Sequence, residues 1–248
     1  MADFNNYQNR MAQSRAQTGA MIDEGLRAYM LKVYNLMALG LAITGVAAFL
    51  TWQMAVADGQ LTAFGQLLYA SPLKWVVMLA PLAMVFFLSF RINSMSVAAA
   101  QTTFWIYAAL MGLSLSSIFL VFTGQSIVQT FFITAASFGA LSLYGYTTKR
   151  DLSAMGSFLI MGLFGLIIAS LVNIFLASSA LGFAISVIGV LIFAGLTAYD
   201  TQKIKEMYYD ADDVVVVGRK AIMGALTLYL DFINLFMFLL QFLGNRNN

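Results

Sequence analysis

The chain has 248 residues, of which 61% are hydrophobic and only 10% charged, and its net charge is +2. Soluble domains run at about 45–50% apolar and about 25% charged, so a soluble globular fold is excluded, and so small a net charge gives no reason to expect nucleic acid as a partner. The chain has neither cysteine nor histidine, which removes disulfides, thiol chemistry, His-rich zinc sites, Ser-His-Asp hydrolysis and histidine proton relays.

In chain order, residues 1–32 read as a polar tail. Arg10, Arg15, Asp23, Glu24, Arg27 and Lys32 interrupt it, and no apolar leader core is present. Seven spans follow, because a membrane helix needs about 20 apolar residues in succession. They are Val33–Thr51, Leu73–Phe90, Val97–Val121, Ile127–Gly145, Ser157–Leu176, Leu181–Thr201 and Ala221–Leu243. No charge occurs from Ile92 to Thr148 or from Leu152 to Tyr199, and each run holds two spans joined by a tight hairpin. The hairpins fall at Thr123-Gly124-Gln125-Ser126 and Ser178-Ser179, where turn formers cluster. Pro72 sits at a helix start, where its missing N–H costs nothing. Pro81 lies inside the second span and predicts a kink there. The domains are thus a 1–32 tail, a 33–243 seven-helix domain and a 244–248 tail.

Small residues recur along the middle spans: Gly112, Ser114, Ser116 and Ser117, then Thr130, Thr134, Ser137 and Ser142, then Gly156, Gly162 and Gly165. Such stripes let membrane helices approach closely and are read as packing surfaces. Of the 13 Lys and Arg residues, all but Lys74 and Arg246 fall on one side of these spans. Cytoplasmic loops retain positive charge, which predicts a cytoplasmic N-terminus and an outside C-terminus.

The seventh span carries a carboxylate, Asp231, close to its middle. At about 100° per residue, Gly224, Thr227, Asp231, Asn234 and Gln241 share an arc of about 100°, and the rest of the helix is apolar. A lipid-exposed carboxylate is costly, so this arc must face protein, and an intramembrane acid is a functional-site candidate. Apolar residues on the other faces suggest that the seventh helix is central. The sixth span ends in Asp200, with Ser186, Gly189 and Thr197 on the same side of its helix. Both acids then belong to the cytoplasmic half. Two nearby carboxylates in a low dielectric cannot both ionise cheaply and would share a proton, and their oxygens also suit calcium. Asp210-Ala211-Asp212-Asp213 lacks the glycine and glutamate of a calcium loop and reads as a solvated acidic turn.

Two sets of residues carry a family resemblance. Ala198-Tyr199-Asp200 and Leu228-Tyr229-Leu230-Asp231-Phe232-Ile233-Asn234-Leu235-Phe236 are similar to the signature of the Bax inhibitor-1 (transmembrane Bax inhibitor motif) family. The stretches Tyr144–Leu152 and Phe104–Gly112 resemble its bacterial members. The resemblance implies an all-α membrane protein of seven helices with a central seventh. It further implies a pH-sensitive calcium leak in a bacterial inner membrane, with Asp200 and Asp231 as a di-aspartyl sensor and calcium site. Thr197, Thr227, Asn234 and Gln241 would support the pair, and Arg91 is the arginine placed to latch it. No cofactor is expected beyond calcium as a permeant or bound ion. The implied partners are the bilayer, calcium and a membrane protease, and family members are linked to stress survival.

Three other readings stand beside this one. An intramembrane aspartyl protease shares the Tyr199-Asp200 pair but needs Gly-x-Gly-Asp at the second acid, where this chain has Tyr229-Leu230-Asp231, and its Pro-Ala-Leu segment is absent. The chain is therefore not read as an enzyme. A proton-coupled transporter would use the same two acids as a relay, although paired broken helices are not evident. A regulatory protein would bind a membrane protease or a stress-response partner through the polar tail.

Overall fold

The structure is a computed structural model that describes the backbone of residues 2–247 and the side chains of residues 23–247. It is an all-α membrane protein in which seven helices, among the described residues, are long and apolar enough to cross a bilayer. The elements are α1 (Ala2–Ala55), a two-strand hairpin β1 (Val56–Ala57) and β2 (Gln60–Leu61), a short α2 (Ala63–Gly65), α3 (Leu73–Arg91), α4 (Val97–Leu115), α5 (Ile118–Val121), α6 (Gly124–Thr147), α7 (Ser153–Leu176), α8 (Ser179–Glu206) and α9 (Val214–Leu243). Asp58 and Gly59 both take positive φ, 53° and 74°, and so form the turn that an Asp-Gly pair favours between short strands.

The two expected hairpins form, and each is capped by its own first polar residue. Thr123 accepts from the Ser126 N–H at 3.2 Å, and Ser178 accepts from the Leu181 N–H at 3.3 Å. These caps satisfy helix donors that would otherwise be orphaned. The third span is broken between α4 and α5, where Ser116 is fully buried. Its Oγ donates to the Leu113 carbonyl at 2.6 Å and meets the Tyr69 hydroxyl at 2.9 Å. Hydroxyl back-bonding of this kind competes with the helix ladder. The second span runs as one helix through the buried Pro81.

Two boundaries move. The line drawn at residue 32 falls inside α1, because Tyr29 and Met30 are buried and Tyr29 packs on Tyr208 with ring centroids 5.6 Å apart. The expected tail side chains of residues 1–22 lie outside the described residues. The short C-terminal segment also joins the fold: Thr123 N–H donates to the Asn245 carbonyl at 3.0 Å and Asn247 N–H to that of Val121 at 2.9 Å.

The seventh span is central. α9 packs against α1, α4, α6 and α8, and 61% of its apolar window is buried. By contrast α7 buries 6% and has α8 as its main neighbour, so most of its surface is left for lipid. Part of the small-residue reading holds. A Cβ on Gly112 would stand 2.5 Å from the Thr44 carbonyl oxygen, so α1 and α4 touch through bare backbone. Gly165 meets nothing within 4 Å and is not a packing contact.

Candidate functional site

Helices α8 and α9 run antiparallel, and their register is set by small and polar side chains. Ser186 Oγ donates to Gln241 Oε1 at 3.2 Å. Gly189 lies under the Phe238 ring, and Gly224 lies against Ile204. The same register brings Asp200 and Asp231 together between those contacts, with their carboxyls in hydrogen-bonding reach of each other. Asp231 is 4% exposed, and its Oδ2 is buried without a hydrogen-bond partner. Asp200, half-buried, is the more accessible member.

Among the described residues no lysine or arginine is ion-paired with either acid, although Lys203 is near enough for its charge to act on Asp200. Lys203 is the charge nearest Asp200 in sequence and stands over the Tyr199 ring, 5.8 Å from its centroid. Lys205 donates to the Tyr146 carbonyl at 2.9 Å. Arg219 Nε donates to the Met95 carbonyl at 2.8 Å, and Lys220 donates to that of Met207 at 2.8 Å and pairs with Asp212. These basic residues tie loop and helix ends together, where exposed carbonyls carry partial negative charge. Two carboxylates left this way repel each other, and only a proton or a cation between them can hold them together.

Both acids line a crevice of about 530 Å³ between α7, α8 and α9. Thr227 and Asn234 line it too, as the helical arc predicts. Their donors are used locally: Thr227 Oγ1 donates to the Met223 carbonyl at 3.1 Å and Asn234 Nδ2 to that of Leu230 at 2.8 Å. The other stripe members sit elsewhere. Thr197 is fully buried, does not line the crevice, and donates to the Phe193 carbonyl at 2.7 Å. Gln241 is exposed at the opposite end of the α8–α9 seam, on Ser186. Arg91 is exposed at the end of α3, neither lines the crevice nor pairs with either acid, and so is not brought to the dyad here. Among the described residues no group of three or more acidic side chains is placed to hold a metal. Asp212 of the acidic turn is engaged by Lys220.

Three features around the site were not anticipated. Gln202, two residues beyond Asp200, clamps the α6–α7 loop: its Oε1 accepts the Leu152 N–H and its Nε2 donates to the Arg150 carbonyl, both at 2.8 Å. Tyr34, Ser142 and Thr201 form a hydroxyl chain with links of 2.6 and 2.9 Å, joining α1, α6 and α8. On the other side of α9 the Tyr229 hydroxyl meets Thr44 at 2.6 Å. Polar residues on otherwise apolar helices were the available signal, but partners 50 or more positions away cannot be read from spacing.

The family model described as inhibitor of apoptosis-promoting Bax1 matches residues 26–248. A Rickettsia prowazekii protein is 53% identical over 91% of this chain and 93% of its own length. The inner membrane protein YbhL of Escherichia coli is 49% identical over 90% and 93%, and a Caulobacter vibrioides protein is 46% identical over 99% of both chains. With its seven helices wrapped on a central last one, the chain belongs to the Bax inhibitor-1 family.

Proposed function

We propose that the protein is a pH-sensitive calcium leak of a bacterial inner membrane, gated by proton and cation competition at Asp200 and Asp231. The observation that carries this reading is the carboxylate pair, which has a buried, unpartnered Oδ2 on Asp231 and, among the described residues, no lysine or arginine bound to it. A proton satisfies the pair by bridging the two groups. A divalent cation satisfies it by taking both charges. Calcium prefers six to eight oxygens, and the two carboxylates with Asn234 and Thr227 offer at most the lower end of that range, so water would complete the ion's shell. The inner-membrane placement is supported by the name of YbhL, and the cytoplasmic position of the basic end by the Lys and Arg distribution.

The test is calcium uptake into dye-loaded proteoliposomes across pH 5 to 8, a range of about three units that a buried carboxylate pair can span. Uptake above empty liposomes, with calcium half-saturation rising in acid, supports the reading. Uptake no greater than in empty liposomes at every pH overturns it. A reporter active only in the cytoplasm tests the orientation: it should be active in the Tyr209–Val217 loop and silent after Asn248.

A further inference from the structure

The crevice that ends on Asp231 begins on the lipid-facing surface. Ile167, Leu171 and Ile174 of α7 line it and are 47%, 54% and 73% exposed. Deeper in, its walls are the buried Leu166, Phe193 and Leu196. Its volume of about 530 Å³ lies within the range of roughly 300–1,000 Å³ typical of small-molecule sites. Its lining is mostly apolar, with Ser170, Thr227, Asn234 and the two acids as its polar members.

The hydrogen-bonding capacity left among these polar groups is mostly that of acceptors. Thr227 and Asn234 already donate to carbonyls of their own helix, and Ser170 Oγ donates to the Leu166 carbonyl at 2.8 Å. What remains is one Asn234 N–H and the acceptor capacity of the two carboxyls, with Asp231 Oδ2 unpartnered at a residue 4% exposed. Among the described residues no lysine or arginine lines the crevice. A phosphate or carboxylate head would therefore meet two acids and at most that one N–H, and an uncharged alcohol would satisfy one acceptor weakly. An ammonium group offers several donors and a positive charge.

We propose that this crevice is a bilayer-facing binding site for an amphiphilic amine. Its ammonium group donates to Asp231 and Asp200, and its alkyl chain lies against Ile167, Leu171 and Ile174. The charged and titratable groups around that head are Asp200 and Lys203 from α8 and Asp231 from α9; the α7 wall contributes none. The inference rests on the dyad's geometry, as the proposed function does, but not on calcium flux. Amine and calcium would claim the same oxygens, so an amine that enters from the lipid would occlude the pair.

The test uses the full chain in nanodiscs and octylamine as probe, with octan-1-ol and octanoate as matched controls. Binding is read by native mass spectrometry against empty nanodiscs. Octylamine should bind saturably at one site, roughly tenfold or more tighter than octan-1-ol, the weight of a charge-assisted hydrogen bond. Asp231→Asn should weaken it by a similar factor. Ser170→Trp, which keeps both acids and fills the crevice, should weaken it as well, and Lys74→Gln should leave it unchanged. Equal binding of octylamine and octan-1-ol, or octylamine binding unaltered in both crevice variants, overturns the proposal. Octylamine binding that follows the variants in a protein without calcium flux supports the amine site and removes the calcium reading.

Discussion

Replacing Asp231 with asparagine keeps the shape of the side chain and turns one acceptor oxygen into an N–H donor. Asp200 is the hydrogen-bonding neighbour of that carboxyl, so the amide supplies permanently what a shared proton supplies in the wild type. Two bare carboxylates about 4 Å apart repel by roughly 4 kcal/mol at an effective dielectric of about 20. At about 1.4 kcal/mol per factor of ten, that is close to a thousandfold bias against the doubly ionised, empty pair. The wild type escapes by keeping a proton or taking a cation, and if each calcium displaces one proton its half-saturation should rise about tenfold per pH unit of acidification. Asp231→Asn should flatten that slope, and Asp200→Asn should flatten it too. The double variant should lose no more than either single one, because groups that act as a unit are not additive. The amide also relieves a buried acceptor that has no partner, a cost of about 1–3 kcal/mol, so the Asp231→Asn midpoint of thermal unfolding should rise rather than fall. Calcium uptake by proteoliposomes at several pH values and thermal unfolding in detergent read both effects. A pH slope that survives in both single variants, or losses that add in the double variant, refutes the shared-proton dyad.

Gln202→Leu removes both bonds that hold the α6–α7 loop and leaves the Leu152 N–H without its acceptor. It should cost about 2–3 kcal/mol in stability, whereas Gln202→Glu keeps the acceptor and should cost less; thermal unfolding distinguishes them. Gly112→Ala drives a methyl group to 2.5 Å from the Thr44 carbonyl, a backbone atom that cannot turn aside, and should destabilise by about 1–3 kcal/mol. Gly165→Ala, with open space around it, should be close to neutral in the same assay. Arg91→Ala should leave calcium flux per inserted protein unchanged, since Arg91 is exposed and pairs with neither acid; raised basal flux would reinstate a latch.

Much of the architecture can be read directly from the residues. Lipid cannot hydrogen-bond the backbone, so every span must be a helix of known length, and uninterrupted apolar runs then locate the spans one by one. Asp231 is legible on the same ground, because a carboxylate in hydrocarbon has to face protein, and its arc correctly includes Thr227 and Asn234. The helical projection stops there. It assigns Thr197 and Gln241 the same standing, yet one is buried away from the crevice and the other lies at the far end of the α8–α9 seam, since an arc describes direction and not depth along a partner helix. The α8–α9 register, which sets Asp200 beside Asp231, depends on where Gly189 and Gly224 allow close approach to side chains of the other helix. The Gln202 clamp, the Tyr34–Ser142–Thr201 chain and the opening of the crevice on the α7 surface depend likewise on neighbours distant in sequence. Length and polarity are properties of one helix and can be counted along it; contact is a property of two, and it takes its form only when they pack.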